Sequence, residues 1–249
     1  MKVLLNIATH GNEKLGNKVV KAIKKIPISK GGLIINVANQ RALKLNKRFC
    51  DEDLNRCFPG NPNGNYEQRR AHELLPLIKS VDVVLDIHST TTDLRDTIIV
   101  TQLKDKTRNY IKRIGPRYVL VMNATKNNAL ISNAKIGIGF EYGKDNDARA
   151  LANTVGGIKN LLSYLGMIEH QIVKNRSKIN YFNVYEAVSK PKGAKLLNSV
   201  KNYKLIKKGW PFATIGKKYF ITAEKDFYPI LFGEKRYKDI FGFAGDLLS

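Results

Sequence analysis

The chain has 249 residues, 43% of them hydrophobic, and a formal net charge of +22. That balance excludes a disordered chain, and no apolar run approaches the roughly 20 residues of a bilayer-spanning helix. Two cysteines, Cys50 and Cys57, are too few for a disulfide framework and lack zinc-knuckle spacing.

From the N-terminus, VLLNIAT reads as a buried strand. LGNKVVKAIKKI follows as a helix with Leu15, Val19, Val20 and Ile23 on one face, and LIINVAN as a second strand. YEQRRAHELLPLIK is helical up to about Pro76, where the ring is expected to kink or end it. VDVVLDIHS, TIIVT, YVLVMN and KIGIGFEYG are further strands, and DARALANTVGGIKNLLSYLG is a long helix with Gly156-Gly157 as a weak spot. Such alternation predicts an α/β fold with helices on both faces of a sheet. Beyond Lys178 the chain changes to short β segments (INYFNVYEAV, AKLLN, PFATIG, YFITAE) between Gly, Pro and Lys turns. The expected organisation is therefore an α/β domain over 1–172 and a small β-rich domain over 173–249.

The charge is spread along the chain, as in KAIKK and SKPKGAK, without an RRM, KH or C₂H₂ pattern. It predicts non-specific, salt-sensitive attraction to polyanions and no specific nucleic-acid partner. With no signal peptide and no membrane span, the expected setting is the cytoplasm, with both thiols reduced.

Polar residues gather where strands end, the edge at which open α/β sheets bind ligands. His10 and Glu13 follow the first strand, His88 the third, and Glu141 ends KIGIGF. Two histidines and a carboxylate are the protein ligands of a catalytic zinc site, and one more carboxylate supplies a general base. Taken alone, His10 and Glu13 also read as a surface pair at a strand end. The loop RFCDEDLNRCFPGNPNG adds Arg56, whose planar fork suits a carboxylate, and Asn55, which reaches the same group. Asp-Leu-Asn-Arg reads equally as a helix cap. His72 and His170 are expected on helix surfaces, Cys57 as a small buried thiol, and Tyr142 in the core.

The segments HGNE, EDLNRCFPG, GNPNGNYEQRRA, DIHST, GFEYG and YPILFGEKRY, in that order, resemble the succinylglutamate desuccinylase/aspartoacylase family, a branch of the zinc carboxypeptidase-like fold. The resemblance covers most of the chain. It implies a mixed sheet flanked by helices, with a small C-terminal β-rich domain closing the substrate site. His10, Glu13 and His88 match the family's zinc ligands, and Glu141 its catalytic glutamate. Asn55 and Arg56 match its binders of the substrate carboxylate. Arg48 falls on an arginine that polarises the scissile carbonyl, Tyr237 on a tyrosine that reaches the substrate, and Asp53 on the acid that holds a zinc-bound imidazole. Aspartoacylases carry another arginine shortly before the catalytic glutamate. Here NALISNAKIGIGFE has Ile131 near that place, and Lys126 or Lys135 are the cations available to replace it.

The implied activity is hydrolysis of the amide bond of a small anionic N-acyl amino acid, with one Zn²⁺ per chain. Glu141 takes a proton from zinc-activated water and passes it to the leaving amine, while the metal and Arg48 stabilise the oxyanion. A zinc carboxypeptidase acting on short peptides is the nearer rival. Its glutamate stands further along the chain, close to the end of the domain, than Glu141 does here. A non-catalytic polyanion-binding protein is the more distant rival. A homo-oligomer is compatible with everything above.

Overall fold

Strand and helix signals alternate because each apolar strand needs cover on both faces. The structure, a computed structural model, describes residues 1–122, 128–169, 178–216 and 219–248. In chain order the regular elements are β1 (Lys2–Ile7), α1 (Leu15–Ile23), β2 (Gly32–Val37), α2 (Gln40–Lys44), α3 (Tyr66–Ser80), β3 (Val83–His88), β4 (Thr97–Val100), α4 (Asp105–Ile114), β5 (Tyr118–Met122), β6 (Gly137–Glu141) and α5 (Ala148–Tyr164). Then come β7 (Asn180–Ser189), β8 (Ala194–Leu196), β9 (Pro211–Ile215), β10 (Tyr219–Thr222), β11 (Tyr228–Ile230) and β12 (Ile240–Leu248). Short 3₁₀ turns occupy Leu54–Arg56 and Leu130–Asn133.

One mixed sheet runs in the order β11-β12-β7-β5-β4-β6-β3-β1-β2, and a second, antiparallel sheet in the order β10-β9-β8. β1 pairs in parallel with β2 and β3, and β3 with β6. The direction reverses between β6 and β4, which run antiparallel. Along β1, alternate residues face opposite ways. Val3, Leu5 and Ile7 join Leu15, Val19, Ile111 and Ile158 from α1, α4 and α5 in one apolar cluster. Leu4 and Val84 meet Ala71, Leu74 and Ile78 of α3 in another.

Several elements depart from the sequence reading. α3 does not stop at Pro76 but continues to Ser80. Burial of Leu74 and Ile78 on either side of the ring offsets the roughly 3 kcal/mol that a mid-helix proline costs. α4 was not expected. Its apolar stripe is short, but Tyr110, Ile111 and Ile114 are all buried. Gly156 and Gly157 lie inside an unbroken α5. A Cβ on Gly157 would come within 3.0 Å of Ile114 Cγ2, so this glycine lets α5 pack close to α4. β11 and β12 were also unforeseen, and β12 pairs with β7 from Tyr181 to Ser189.

The expected boundary at 172 falls among 170–177, outside the described residues, as does His170. Beyond it, β7 pairs in parallel with β5, so the main sheet runs on into the C-terminal portion. The separate C-terminal feature is the small β8-β9-β10 sheet, with its own aromatic core of Phe212, Phe227, Phe232 and Phe241. Among the described residues, no helix is long and apolar enough to cross a membrane.

Candidate metal and active site

The turn after β1 is built around a close approach. A Cβ on Gly11 would sit 2.1 Å from the backbone of Ala42 in α2, so only glycine fits between His10 and Glu13 there. The N–H of Gly11 donates to the carbonyl of Arg48 at 3.1 Å, which ties this turn to the loop carrying Arg48. On the neighbouring strand His88 is the last residue of β3, and its register partner on β6 is Glu141.

Side chains from these ends converge. Nδ1 of His10 lies 2.8 Å from Glu13 Oε1, and Nδ1 of His88 lies 3.1 Å from Glu13 Oε2. All three side chains are buried, and one ligand atom from each falls within 4.8 Å of the others. Each imidazole is held from behind. Nε2 of His10 meets Asp53 Oδ1 at 3.0 Å, and Nε2 of His88 meets Asp86 Oδ2 at 2.8 Å. A carboxylate on the remote nitrogen fixes the tautomer that leaves the other nitrogen free to ligate. This donor set fits a divalent metal with nitrogen and oxygen ligands.

The electrostatics agree. Burial by itself would raise Glu13, but His10 and His88 outweigh it and hold the carboxyl well below its ordinary range. Burial would lower His88, and Asp86 more than reverses that. Asp53 is likewise held low by His10, Arg48 and Arg56 against its burial. Glu141 is the exception. Burial, reinforced by Glu13 and Glu234 against the pull of His88, pushes it up to about 8. Its Oε2 is buried without a hydrogen-bond partner among the described residues. It faces the cavity that His10, Glu13 and His88 also line.

Both readings of Asp-Leu-Asn-Arg have a structural counterpart. Asp53 Oδ1 accepts the N–H of Asn55 and so caps the 3₁₀ turn, while the same oxygen meets His10. Asn55 Oδ1 accepts from the N–H of Leu130 at 2.9 Å, joining the two 3₁₀ turns, and its amide can donate to a ligand. Arg56 is exposed and lines the cavity beside it. Arg48 donates to Asp53 Oδ2 at 3.0 Å and Glu13 Oε1 at 3.5 Å. Tyr237 lines the same cavity, its phenol raised by burial and by Glu141. Every sequence-predicted site residue is thus within one constellation. Lys135 is not; it lines a neighbouring cleft that shares Thr101 and Ile131 with this cavity. Lys126 lies outside the described residues. His72 is exposed on α3, while Cys57 and Tyr142 are buried.

Three residues escaped the sequence reading. Asp86 lies two residues before His88 on the same face of β3, and period-two spacing would have found it. Arg236 donates to Ser89 O at 2.7 Å and Glu13 Oε1 at 3.3 Å. Glu234 accepts from Thr90 Oγ1, Thr91 N and Thr91 Oγ1, at 2.8, 2.8 and 2.6 Å, which anchors the 234–237 loop to the segment after His88. These last two lie in YPILFGEKRY, but contacts spanning this much of the chain leave no local signal.

A mixed α/β sheet thus carries at its strand ends a His-Glu-His group able to hold a divalent metal, with a further carboxyl group beside it. The catalytic domain of the succinylglutamate desuccinylase/aspartoacylase family matches residues 1–165, and the chain belongs to that family. A probable aspartoacylase of Trichodesmium erythraeum is 29% identical over 196 residues, 70% of this chain and 66% of that protein. An N-acyl-aromatic-L-amino acid amidohydrolase (carboxylate-forming) of Danio rerio is 32% identical over 110 residues, 36% of this chain and 35% of that one. An N-alpha-acetyl-L-2,4-diaminobutyric acid deacetylase of Halomonas elongata is 28% identical over 191 residues, 68% and 56% of the two chains. The match thus spans two thirds of the length of these relatives or less. Murine aminoacylase 3 superposes with a TM-score of 0.81 at 18% identity, covering 100% of this chain and 95% of that one. At that identity the likeness speaks for the fold.

Proposed function

We propose that the protein is a zinc-dependent amidohydrolase that cleaves the amide bond of N-acyl amino acids. The observation that carries this reading is the convergence of His10, Glu13 and His88 beside a buried, unpartnered Glu141 oxygen in one cavity. Nδ1 of His10, the Glu13 carboxylate and Nδ1 of His88 would hold the ion. When bound, Zn²⁺ supplies positive charge that acidifies a water molecule and polarises a carbonyl. Glu141 is the group placed to accept a proton and return it to the leaving nitrogen, its unpartnered oxygen facing the cavity beside the three ligands. Asn55 and Arg56 receive the substrate's carboxylate, so that binding fixes orientation. Arg48 and Arg236 stand beside Glu13 and contribute positive charge where an oxyanion develops. The relatives' names span aspartate, aromatic and diaminobutyrate derivatives, which supports the reaction and leaves the amino acid open. Two free cysteines fit a reducing compartment.

The experiment measures metal content and hydrolysis on one sample. About one zinc per chain is expected from the three-ligand set, with release of free amino acid from an N-acyl amino acid panel. His88→Ala should lose most of the metal and all turnover. Protein that binds no divalent metal after reconstitution would sink the proposal.

A further inference from the structure

Away from the metal ligands, the cavity wall changes character. Ile99, Met122, Ala129, Ile131, Leu231 and Phe243 line it, and all but the partly buried Ile99 are buried. The outer mouth is different. Lys235, Lys238, Asp53 and Asp239 stand there, and Arg48, Arg56, Arg236, Tyr237 and Phe243 line both compartments. A basic mouth therefore opens onto an apolar inner wall.

We propose that this wall sets specificity, and that the preferred substrates are N-acyl amino acids with uncharged, apolar side chains rather than derivatives of aspartate or glutamate. This rests on the amidohydrolase reading and narrows its substrate. The orientation follows from connectivity. Asn55 is bonded to the N–H of Leu130, so the carboxylate-binding turn adjoins the segment that presents Ala129 and Ile131. A carboxylate held by Asn55 and Arg56 shares its α-carbon with the side chain, which then meets that wall. Apart from Arg56, which the α-carboxylate occupies, a side-chain carboxylate there would find no uncommitted arginine or lysine among the described residues that line the cavity. Arg48 is bonded to Asp53 and Glu13, Arg236 to Glu13 and the Ser89 carbonyl, and Lys135 lines the neighbouring cleft on the far side of Thr101 and Ile131, not the cavity itself. Glu141 and Glu234 line the same cavity and would repel it. A desolvated, unpaired carboxylate is strongly disfavoured, whereas each methylene buried on the wall gains about fourfold in affinity.

The test uses the zinc-loaded protein. kcat/KM is measured for N-acetyl derivatives of glycine, alanine, norvaline, leucine, methionine and phenylalanine, beside N-acetyl-aspartate and N-succinyl-glutamate. The expected result is a rise of about fourfold per buried methylene and at least about tenfold between leucine and aspartate. Ile131→Arg should lower the leucine-to-aspartate ratio by at least about tenfold, while Ile131→Val, which keeps the wall apolar, should leave it nearly unchanged. Varying the acyl group on leucine from formyl to butyryl should matter less than varying the side chain. Calorimetry on the Glu141→Gln variant ranks the same ligands by Kd without turnover. If nothing is hydrolysed, the amidohydrolase reading falls and the Kd order alone decides the wall. A preference for acidic side chains in rate or in Kd, or discrimination that follows the acyl group instead, overturns the inference.

Discussion

Glu141 ends an otherwise apolar strand, and its buried, unpartnered oxygen is costly unless it is protonated or used. Gln keeps the shape and removes the basicity. Glu141→Gln should fold, keep its zinc and lose roughly 10²–10⁴ in kcat, the span of general acid–base catalysis. Metal loss together with turnover would make Glu141 a ligand instead. The same residue predicts a pH effect on stability. Its folded pKa of about 8 exceeds its ordinary 4.5, so the folded chain retains a proton that the unfolded chain has lost. This contribution therefore destabilises progressively from about pH 4.5 to 8 and levels off above. In EDTA, the Tm of Glu141→Gln should gain on the wild type across that window; a constant difference would refute the shift. Behind the ligands, Asp86 holds His88 at 2.8 Å. Asp86→Asn should weaken zinc binding by about 10–100-fold, measured by competition with a chelator.

At the scale of elements, the first turn of α3 fixes the loop that carries Arg48, Asp53, Asn55 and Arg56. Glu67 is fully buried, and its carboxylate accepts from Asn39 Nδ2 and from the backbone N–H groups of Cys50, Asp51 and Glu52. Glu67→Ala strands four donors, at about 1–3 kcal/mol for each that water cannot reach. The expected outcome is a lower Tm and a reduced kcat/KM, with zinc affinity falling by no more than the roughly 10–100-fold of a lost supporting carboxylate, since the loop carries Asp53 behind His10 but no proposed ligand. Unchanged kinetics would show that the loop holds its shape without Glu67. The strands that deliver His10, His88 and Glu141 were legible in the sequence because each is a compact apolar run ending in a polar residue. α4 was not, since its apolar residues are few, and neither was the continuation of α3, since local propensity condemns Pro76 while tertiary burial rescues it. Glu67, Arg236 and Glu234 share another cause of invisibility. Their importance lies in partners brought together by the sheet, and a carboxylate in a helix or strand reads as solvated until its surroundings are known.

On the scale of the whole molecule, the C-terminal third completes the sheet and the site together. β7 and β12 extend the sheet past β5, and the β11–β12 connection carries Glu234, Arg236 and Tyr237 into the cavity. Phe182, Val184, Ile230, Leu231 and Phe243 pack with Leu94, Leu120 and Met122 in one buried cluster. At about 1.5–3 kcal/mol for each buried side chain, those five residues supply on the order of 10 kcal/mol, comparable to the whole stability of an ordinary domain. A fragment ending at residue 169 would expose that face of β5 and lose the acceptor that anchors Thr90 and Thr91. It should therefore not fold as an independent unit: no cooperative thermal transition, strong binding of a hydrophobic dye, and zinc affinity far below that of the full chain. A cooperatively folding fragment that binds zinc normally would instead establish the N-terminal portion as a self-sufficient domain, with the C-terminal strands serving only to shape the cavity.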